Sequence, residues 1–97
     1  MSDEIQTTFG KILRKYRLQQ QLSQEKLAEL ADLDRTYISQ IERGLKSPSF
    51  KALIALARAL QVQAHVLVSE VENELDQDSM KRRGKQSDEN RAGGATD

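Results

Sequence analysis

The stretch from Leu22 to Gly44, LSQEKLAELADLDRTYISQIERG, constrains the fold of this 97-residue chain more than any other. Its apolar residues fall at helical spacing in two short groups, which only Asp32, Leu33 and Asp34 separate. Ser23 and Asp34 are placed to cap these two helices, and Gly44 ends the second one. The residues predicted to face inward are Leu27, Ala28, Leu30, Ala31, Ile38 and Ile41.

A longer helix is predicted before this stretch. Apolar residues recur at helical spacing from Ile5 to Tyr16, so the helix runs to about Gln20. Thr7 or Thr8 is available as its N-cap. Residues 1–6 would then form a flexible arm in front of a domain that covers residues 7–75.

Two further helices are predicted after the stretch. Ser49 follows the only proline of the chain and caps a helix with apolar residues from Leu53 to Leu60. The last helix runs from about Ala64 to Leu75. Because no segment shows sustained alternation of apolar and polar residues, the predicted fold class is all-α with five helices.

The composition leaves room for one small domain followed by a tail. A chain of this length supports one core of modest size. From Asp76 to Asp97 the only apolar residues are Met80 and two alanines, too few to offset the entropy of ordering the segment. A disordered C-terminal tail over residues 76–97 is therefore predicted.

The residue inventory also argues against several functional classes. The chain has no cysteine and one histidine, His65, which is expected to lie on a helix surface rather than to bind a metal. No nucleophile–base pair or glycine-rich phosphate loop is evident, so neither catalysis nor a cofactor is predicted. The chain has no apolar run of the length that a membrane helix needs and no secretory signal at its start. A soluble, cytoplasmic protein is expected.

The formal net charge of zero conceals an uneven distribution of charge along the chain. Between Phe9 and Leu60, ten basic side chains face five acidic ones, so this segment is basic. The compensating acidic residues lie mainly before it and in the last predicted helix. A basic segment of this kind suits a polyanionic partner, although a solvated helical surface of the same charge density is at least as common.

The stretch predicts two short helices joined by a tight turn, and the second helix has isoleucines on one side and polar residues on the other. This is the arrangement that places an α-helix in the DNA major groove. The segment resembles the helix-turn-helix of the XRE or lambda-repressor-like family. The shared pattern is Leu-(Ser/Thr)-Gln-x-x-Leu-Ala, a turn, and then a helix ending Ile-x-x-(Ile/Leu)-Glu-x-Gly. The resemblance covers roughly residues 9–67, and LDRTYISQIERG is similar to the restriction-modification controller proteins of this family.

The resemblance implies a recognition helix over about residues 34–43 and double-stranded DNA as the partner. Arginine reads the O6 and N7 atoms of guanine, and the first turn of a recognition helix reaches the base edges. Tyr37 is ambiguous, since its hydroxyl could contact the DNA backbone or its ring could pack at the helix edge. The expected base contacts are Arg35, Thr36, Ser39 and Gln40, and the expected phosphate contacts are Gln24, Tyr37, Arg43, Lys46 and Ser47.

The resemblance also implies two structural features. Glu42 would pair with Arg17 and tie the first helix to the end of the third. Gln21 and Asp32 stand where relatives often have glycine, so both are expected at positive φ.

A homodimer is expected because one helix-turn-helix covers about half of a typical operator, with half-sites about 34 Å apart. The predicted dimer surface is on the last helix and consists of Val66, Leu67, Val71 and Leu75; the alternative is that these residues only close the core. The leading functional hypothesis is a transcriptional regulator, repressor or activator, on an inverted-repeat operator. The alternative is an antitoxin-like or adaptor module that binds a protein partner.

Overall fold

A computed structural model describes residues 3–83 and the side chains of residues 3–77. Over these residues the chain forms five α-helices and no β-strand, which confirms the predicted all-α class. The helices are α1 (Glu4–Gln19), α2 (Gln24–Ala31), α3 (Arg35–Glu42), α4 (Phe50–Ala59) and α5 (Ala64–Arg83).

The first helix begins three residues earlier than the predicted start of the domain. Asp3 is its N-cap, and the Asp3 carboxylate accepts a hydrogen bond from the backbone N–H of Ile5 at 2.7 Å. The prediction of Thr7 or Thr8 as the cap was therefore wrong. An aspartate one turn upstream caps the helix equally well, so residues 4–6 join the helix instead of forming an arm.

The caps of α2 and α4 are confirmed. Ser23 Oγ accepts from the N–H of Lys26 at 2.9 Å, and Ser49 Oγ accepts from the N–H of Ala52 at 3.0 Å. Asp34 occupies the N-cap position of α3, but its side chain makes no capping hydrogen bond. In α2 the predicted burial of Leu30 was wrong: this side chain is half exposed, because it lies at the edge of the buried face.

All five helices contribute to one hydrophobic core. Helix α1 packs against α3 and α5, α2 packs against α3 and α4, and α4 packs against α5. The largest side chains without exposed surface are Leu13, Leu27, Ile38, Ile41, Leu56, Leu60 and Leu67. Because α3 buries only Ile38 and Ile41, its remaining surface is left for other contacts.

Helix α5 differs from the prediction in length and in role. It continues past Leu75 to Arg83, so the first part of the predicted tail is helical, and residues 84–97 of that tail lie outside the described residues. Leu67 is fully buried and Val71 nearly so, both against the core of the same chain. Leu67 is therefore not available to a second subunit, which corrects one residue of the predicted dimer surface. Val71 keeps a small exposed area that lines an apolar groove, and its role in a dimer stays a prediction.

Polar contacts also hold α5 against α1. Glu70 accepts a hydrogen bond from the Tyr16 hydroxyl and one from Lys15 Nζ, the latter at 2.6 Å. Lys15 Nζ also lies 5.4 Å from the centre of the Tyr16 ring. Hydrogen bonds from Lys15 and Tyr16 lower the pKa of Glu70, and the hydrogen bond to Glu70 raises the pKa of Tyr16.

Of the helices between residues 3 and 83, none alone has the length and apolar character needed to cross a membrane. Helices α4 and α5 meet that requirement only as a pair, and they are bent by 106° at their junction.

Within residues 3–83, three residues other than glycine adopt the left-handed conformation, each at a position that follows a helix. Gln21 and Asp32 have φ values of 59° and 57°, which confirms the expectation for both. Gln61, after α4, has a φ of 62° and was not predicted. A side chain with a Cβ is strained in this conformation, and glycine is not.

We expect Gln21→Gly to raise the free energy of unfolding by up to about 1 kcal/mol, because it removes left-handed strain that outweighs the added freedom of the unfolded chain. Urea denaturation followed by circular dichroism measures the change. The matched control is Gln19→Gly, inside the last turn of α1, which should destabilise the domain. A lower unfolding midpoint for Gln21→Gly would contradict the expectation.

Candidate nucleic-acid interface

Two glycines let α1 and α3 approach closely and so set the position of α3. A Cβ on Gly10 would meet the carbonyl oxygens of Ile41 and Glu42, the latter at 2.7 Å. Gly44 has a φ of +77°, and a Cβ there would lie 2.9 Å from Thr7 Oγ1. The C-terminal end of α3 therefore packs in direct contact with the backbone of α1.

Helix α3 has one buried face and one polar face. Ile38 and Ile41 have no exposed surface, whereas Arg35 and Thr36 are exposed in the first turn. Ser39 and Gln40 are half-buried, and they lie one turn after Arg35 and Thr36 on the same side of the helix. The structure therefore brings together the four residues that were predicted to contact bases.

Tyr37 connects α3 to the loop in front of α4. Its ring is half-buried against the core, and its hydroxyl oxygen accepts a hydrogen bond from the backbone N–H of Ser49 at 3.1 Å. The hydroxyl proton is left for another acceptor. Packing of the ring, one of the two alternatives that were weighed, is therefore observed, and contact of the hydroxyl with the DNA backbone stays a prediction.

The predicted pair of Arg17 and Glu42 is present and nearly buried. Arg17 Nε and Nη2 donate to the two carboxylate oxygens at 2.6 and 3.0 Å, and the two side chains are 9% and 4% exposed. Arg17 Nη1 donates to the carbonyl oxygen of Leu22 at 2.8 Å. The hydrogen bond to Glu42 raises the pKa of the Arg17 guanidinium, so Arg17 keeps its positive charge at neutral pH.

Gln24, predicted as a phosphate contact, lies beside this ion pair. Its Nε2 donates to Glu42 Oε1 at 3.0 Å, and its Oε1 accepts from Arg35 Nη1 at 3.5 Å. The side chain is half-buried at the first position of α2. Gln24 therefore links the buried ion pair to the exposed first residue of α3.

The remaining predicted phosphate contacts follow α3. Arg43 is the C-cap residue of α3, and Lys46 and Ser47 lie in the loop before α4; all three are exposed. Within residues 3–77 neither Arg43 nor Lys46 makes an ion pair, whereas Lys15, Arg17 and Lys26 each have an acidic partner. The basic side chains without a partner thus include those that flank the polar face of α3.

Sequence reasoning missed two parts of this arrangement. The link from Gln24 to Glu42 joins residues 18 positions apart, and the bond from Tyr37 to the Ser49 backbone depends on how α3 packs against the next loop. Neither has a local sequence signal. Within the described part of the chain no group of three or more histidine or acidic side chains is placed to hold a metal ion.

We expect Glu42→Gln to lower the free energy of unfolding by about 2–4 kcal/mol, because it leaves the buried Arg17 guanidinium without a countercharge. Glu29→Gln is the matched control: it removes a carboxylate from the exposed Lys26–Glu29 pair and should change stability by less than about 0.5 kcal/mol. Urea denaturation measures both. Equal, small effects would show that burial of the Arg17–Glu42 pair does not matter for stability.

Comparison with known proteins agrees with this geometry. The family model described as "Helix-turn-helix" matches residues 13–67. The control protein C.BamHI of Bacillus amyloliquefaciens is 45% identical over 64 residues, which are 65% of this chain and 79% of the relative.

The solved structures that resemble this chain also include restriction-modification controller proteins. The restriction-modification controller protein C.AhdI of Aeromonas hydrophila is 40% identical with a TM-score of 0.63, covering 64% of this chain and 94% of its own. A variant of the controller protein C.Esp1396I is 31% identical with a TM-score of 0.71, covering 77% and 95%. The chain therefore belongs to the XRE-type helix-turn-helix family of DNA-binding transcriptional regulators, which includes the restriction-modification control proteins.

Proposed function

We propose that this protein is a sequence-specific transcriptional regulator that binds an inverted-repeat operator as a homodimer, with α3 in the major groove. The observation that carries the proposal is the polar face of α3, which starts with the exposed Arg35 and Thr36 while Ile38 and Ile41 hold the opposite face in the core. A helix anchored in this way presents its N-terminal residues to base edges.

Base reading is assigned to the first two turns of α3. Arg35 suits guanine because its guanidinium can donate to O6 and N7 at once. Thr36, Ser39 and Gln40 offer hydroxyl and amide groups, which contact either donors or acceptors on the bases. These groups lie on one side of the helix, so one insertion of α3 brings all four to the groove floor.

Phosphate contacts are assigned to the residues around α3. Arg43 and Lys46 supply positive charge and Ser47 a hydroxyl, and the Tyr37 hydroxyl retains a proton that it can donate. Such contacts orient a protein on the duplex without reading its sequence. The acidic side chains Glu72 and Glu74 belong to α5, which packs against α1 and α4.

The relatives support regulation of transcription over catalysis. Control and controller proteins are prominent among them, so restriction-modification genes are the first targets to examine for this chain. In this proposal the protein represses or activates those genes in the cytoplasm, on the bacterial chromosome.

The dimer surface is assigned to a groove beside the residues that were first predicted. The groove has a volume of about 220 Å³ and is mostly apolar. On its rim, Ile5 is 56% and Val68 40% exposed, and Phe50, one turn before the lining residue Leu53, is 78% exposed. Exposed apolar surface of this kind marks an interaction site, and a second copy of the chain supplies the same surface for a twofold contact. Of the predicted residues, Val71 lines the groove, whereas Val66 and Leu75 are half-buried and do not line it.

We expect Val68→Glu to shift the protein to a monomer at micromolar concentration, because a charge would be buried in the proposed subunit contact. Sedimentation equilibrium measures the change. Leu18→Glu is the matched control: Leu18 is 52% exposed on α1 and does not line the groove. A Val68→Glu protein that remains as dimeric as the control would place the subunit contact elsewhere.

Selection of binding sites from a random duplex library tests the function itself. We expect an inverted repeat with half-sites about ten base pairs apart, and we expect Arg35→Ala to lose about 1–3 kcal/mol of discrimination at one base position in each half-site. Arg14→Ala, an exposed arginine of α1, is the control and should keep the same preference. Weak binding that selects no sequence and disappears as salt rises would reject sequence-specific regulation and favour a protein-binding module.

A further inference from the structure

The apolar groove assigned to the subunit contact lies between two helices that are far apart in the sequence. Ile5 and Phe9 line it from α1, Val68 and Val71 line it from α5, and α4 with the loop before it completes it. The shape of the groove therefore depends on where α5 lies against α1. A surface that contacts its own copy needs one defined shape, because the same patch must fit on both subunits.

Apolar packing gives α5 only part of this definition. Leu67 and Val71, one turn apart on α5, are buried in the core. Such contacts gain free energy in proportion to the area that they bury, and they have no preferred direction. A directional contact outside this apolar stripe is therefore needed to select one placement of α5 among similar ones.

Glu70 makes such a contact. Its Oε1 accepts a hydrogen bond from Lys15 Nζ at 2.6 Å, and its Oε2 accepts one from the Tyr16 hydroxyl. Both carboxylate oxygens are thus held by adjacent residues of α1. Glu70 also lies between the groove residues Val68 and Val71 in the sequence, so the segment of α5 that it fixes is the one that lines the groove.

These two hydrogen bonds require an ionised carboxylate and a protonated hydroxyl. Hydrogen bonds from Lys15 and Tyr16 lower the pKa of Glu70, and the bond to Glu70 raises the pKa of Tyr16, so both groups have the required state at neutral pH. The side chains of Lys15 and Glu70 are 50% and 30% exposed. Because ion pairs with this exposure add little stability, the contact is expected to affect the placement of α5 more than the free energy of unfolding.

We propose that Glu70 is a positioning residue of the subunit contact: held by Lys15 and Tyr16, it fixes α5 in the placement that a second copy of the chain recognises. This inference rests on the proposed function. Both subunits must adopt the placement, so a smaller competent fraction of the monomer enters the dimer dissociation constant twice. A fall of that fraction to about one half or one third would raise the constant about four- to ninefold.

Sedimentation equilibrium of the full chain measures this constant, at a temperature where circular dichroism shows every variant folded. We expect Glu70→Ala to raise it about four- to ninefold, and Tyr16→Phe, which keeps the ring and leaves the bond from Lys15, to raise it about two- to fourfold. In the Glu70→Ala background, Tyr16→Phe should have no further effect, because the acceptor of its hydroxyl is already absent.

Glu74→Ala is the matched control. Glu74 is exposed one turn farther along α5 and makes no ion pair within residues 3–77, so the variant removes the same charge from the same helix without breaking the contact of Glu70. It should leave the dimer dissociation constant unchanged. Tyr16→Phe is the more conservative change and carries the test if Glu70→Ala folds poorly.

A wild-type dimer dissociation constant in both Glu70→Ala and Tyr16→Phe, with a lower unfolding midpoint, would overturn the proposal and leave the contact a role in stability alone. Equal effects of Glu70→Ala and Glu74→Ala would also overturn it, since the charge of α5 would then govern association. A wild-type chain that is monomeric would reject the proposed homodimer, and this inference with it. A dimer that Val68→Glu weakens but Glu70→Ala does not would reject this inference alone.

Discussion

The buried ion pair of Arg17 and Glu42 is the interaction on which the polar face of α3, the side proposed to contact DNA, depends. It joins the end of α1 to the end of α3 across 25 residues of sequence, and Arg17 also holds the chain at Leu22, just before α2. Two charges with so little exposed surface stabilise the fold only if their hydrogen bonds are satisfied, and in the described residues no buried side-chain polar atom lacks a partner. The pair therefore sets the relative positions of three helices at one point.

The close approach of the backbones makes this pair possible. Gly10 allows α1 to touch the carbonyl groups at the end of α3, and Gly44 turns the chain away immediately afterwards. From this fixed end α3 extends to the exposed Arg35, and the contact of Tyr37 with Ser49 holds its middle against the loop that carries basic residues. Helix α3 is thus attached to a rigid scaffold at its C-terminal end and at its middle, as precise recognition requires.

The surfaces around α3 divide into two kinds. Arg43 and Lys46 are exposed and have no acidic partner within residues 3–77, whereas the groove between α1, α4 and α5 is apolar. The basic surface attracts a polyanion, and the apolar groove loses unfavourable contact with water when another surface covers it. A chain that uses both at once binds DNA as an assembly of two subunits, which is the arrangement proposed for this protein.

The sequence by itself determined the number and order of the helices, the turn between α2 and α3, the two faces of α3 and the positive φ of Gln21 and Asp32, because helical spacing, caps and a family pattern are local signals. Tertiary structure decided what each helix meets. Leu67 has the same apolar character as a residue of a dimer surface, but only packing shows that the core already covers it. Gln24 resembles any surface glutamine until Glu42 is brought to its amide, since a hydrogen bond between distant residues has no period in the sequence.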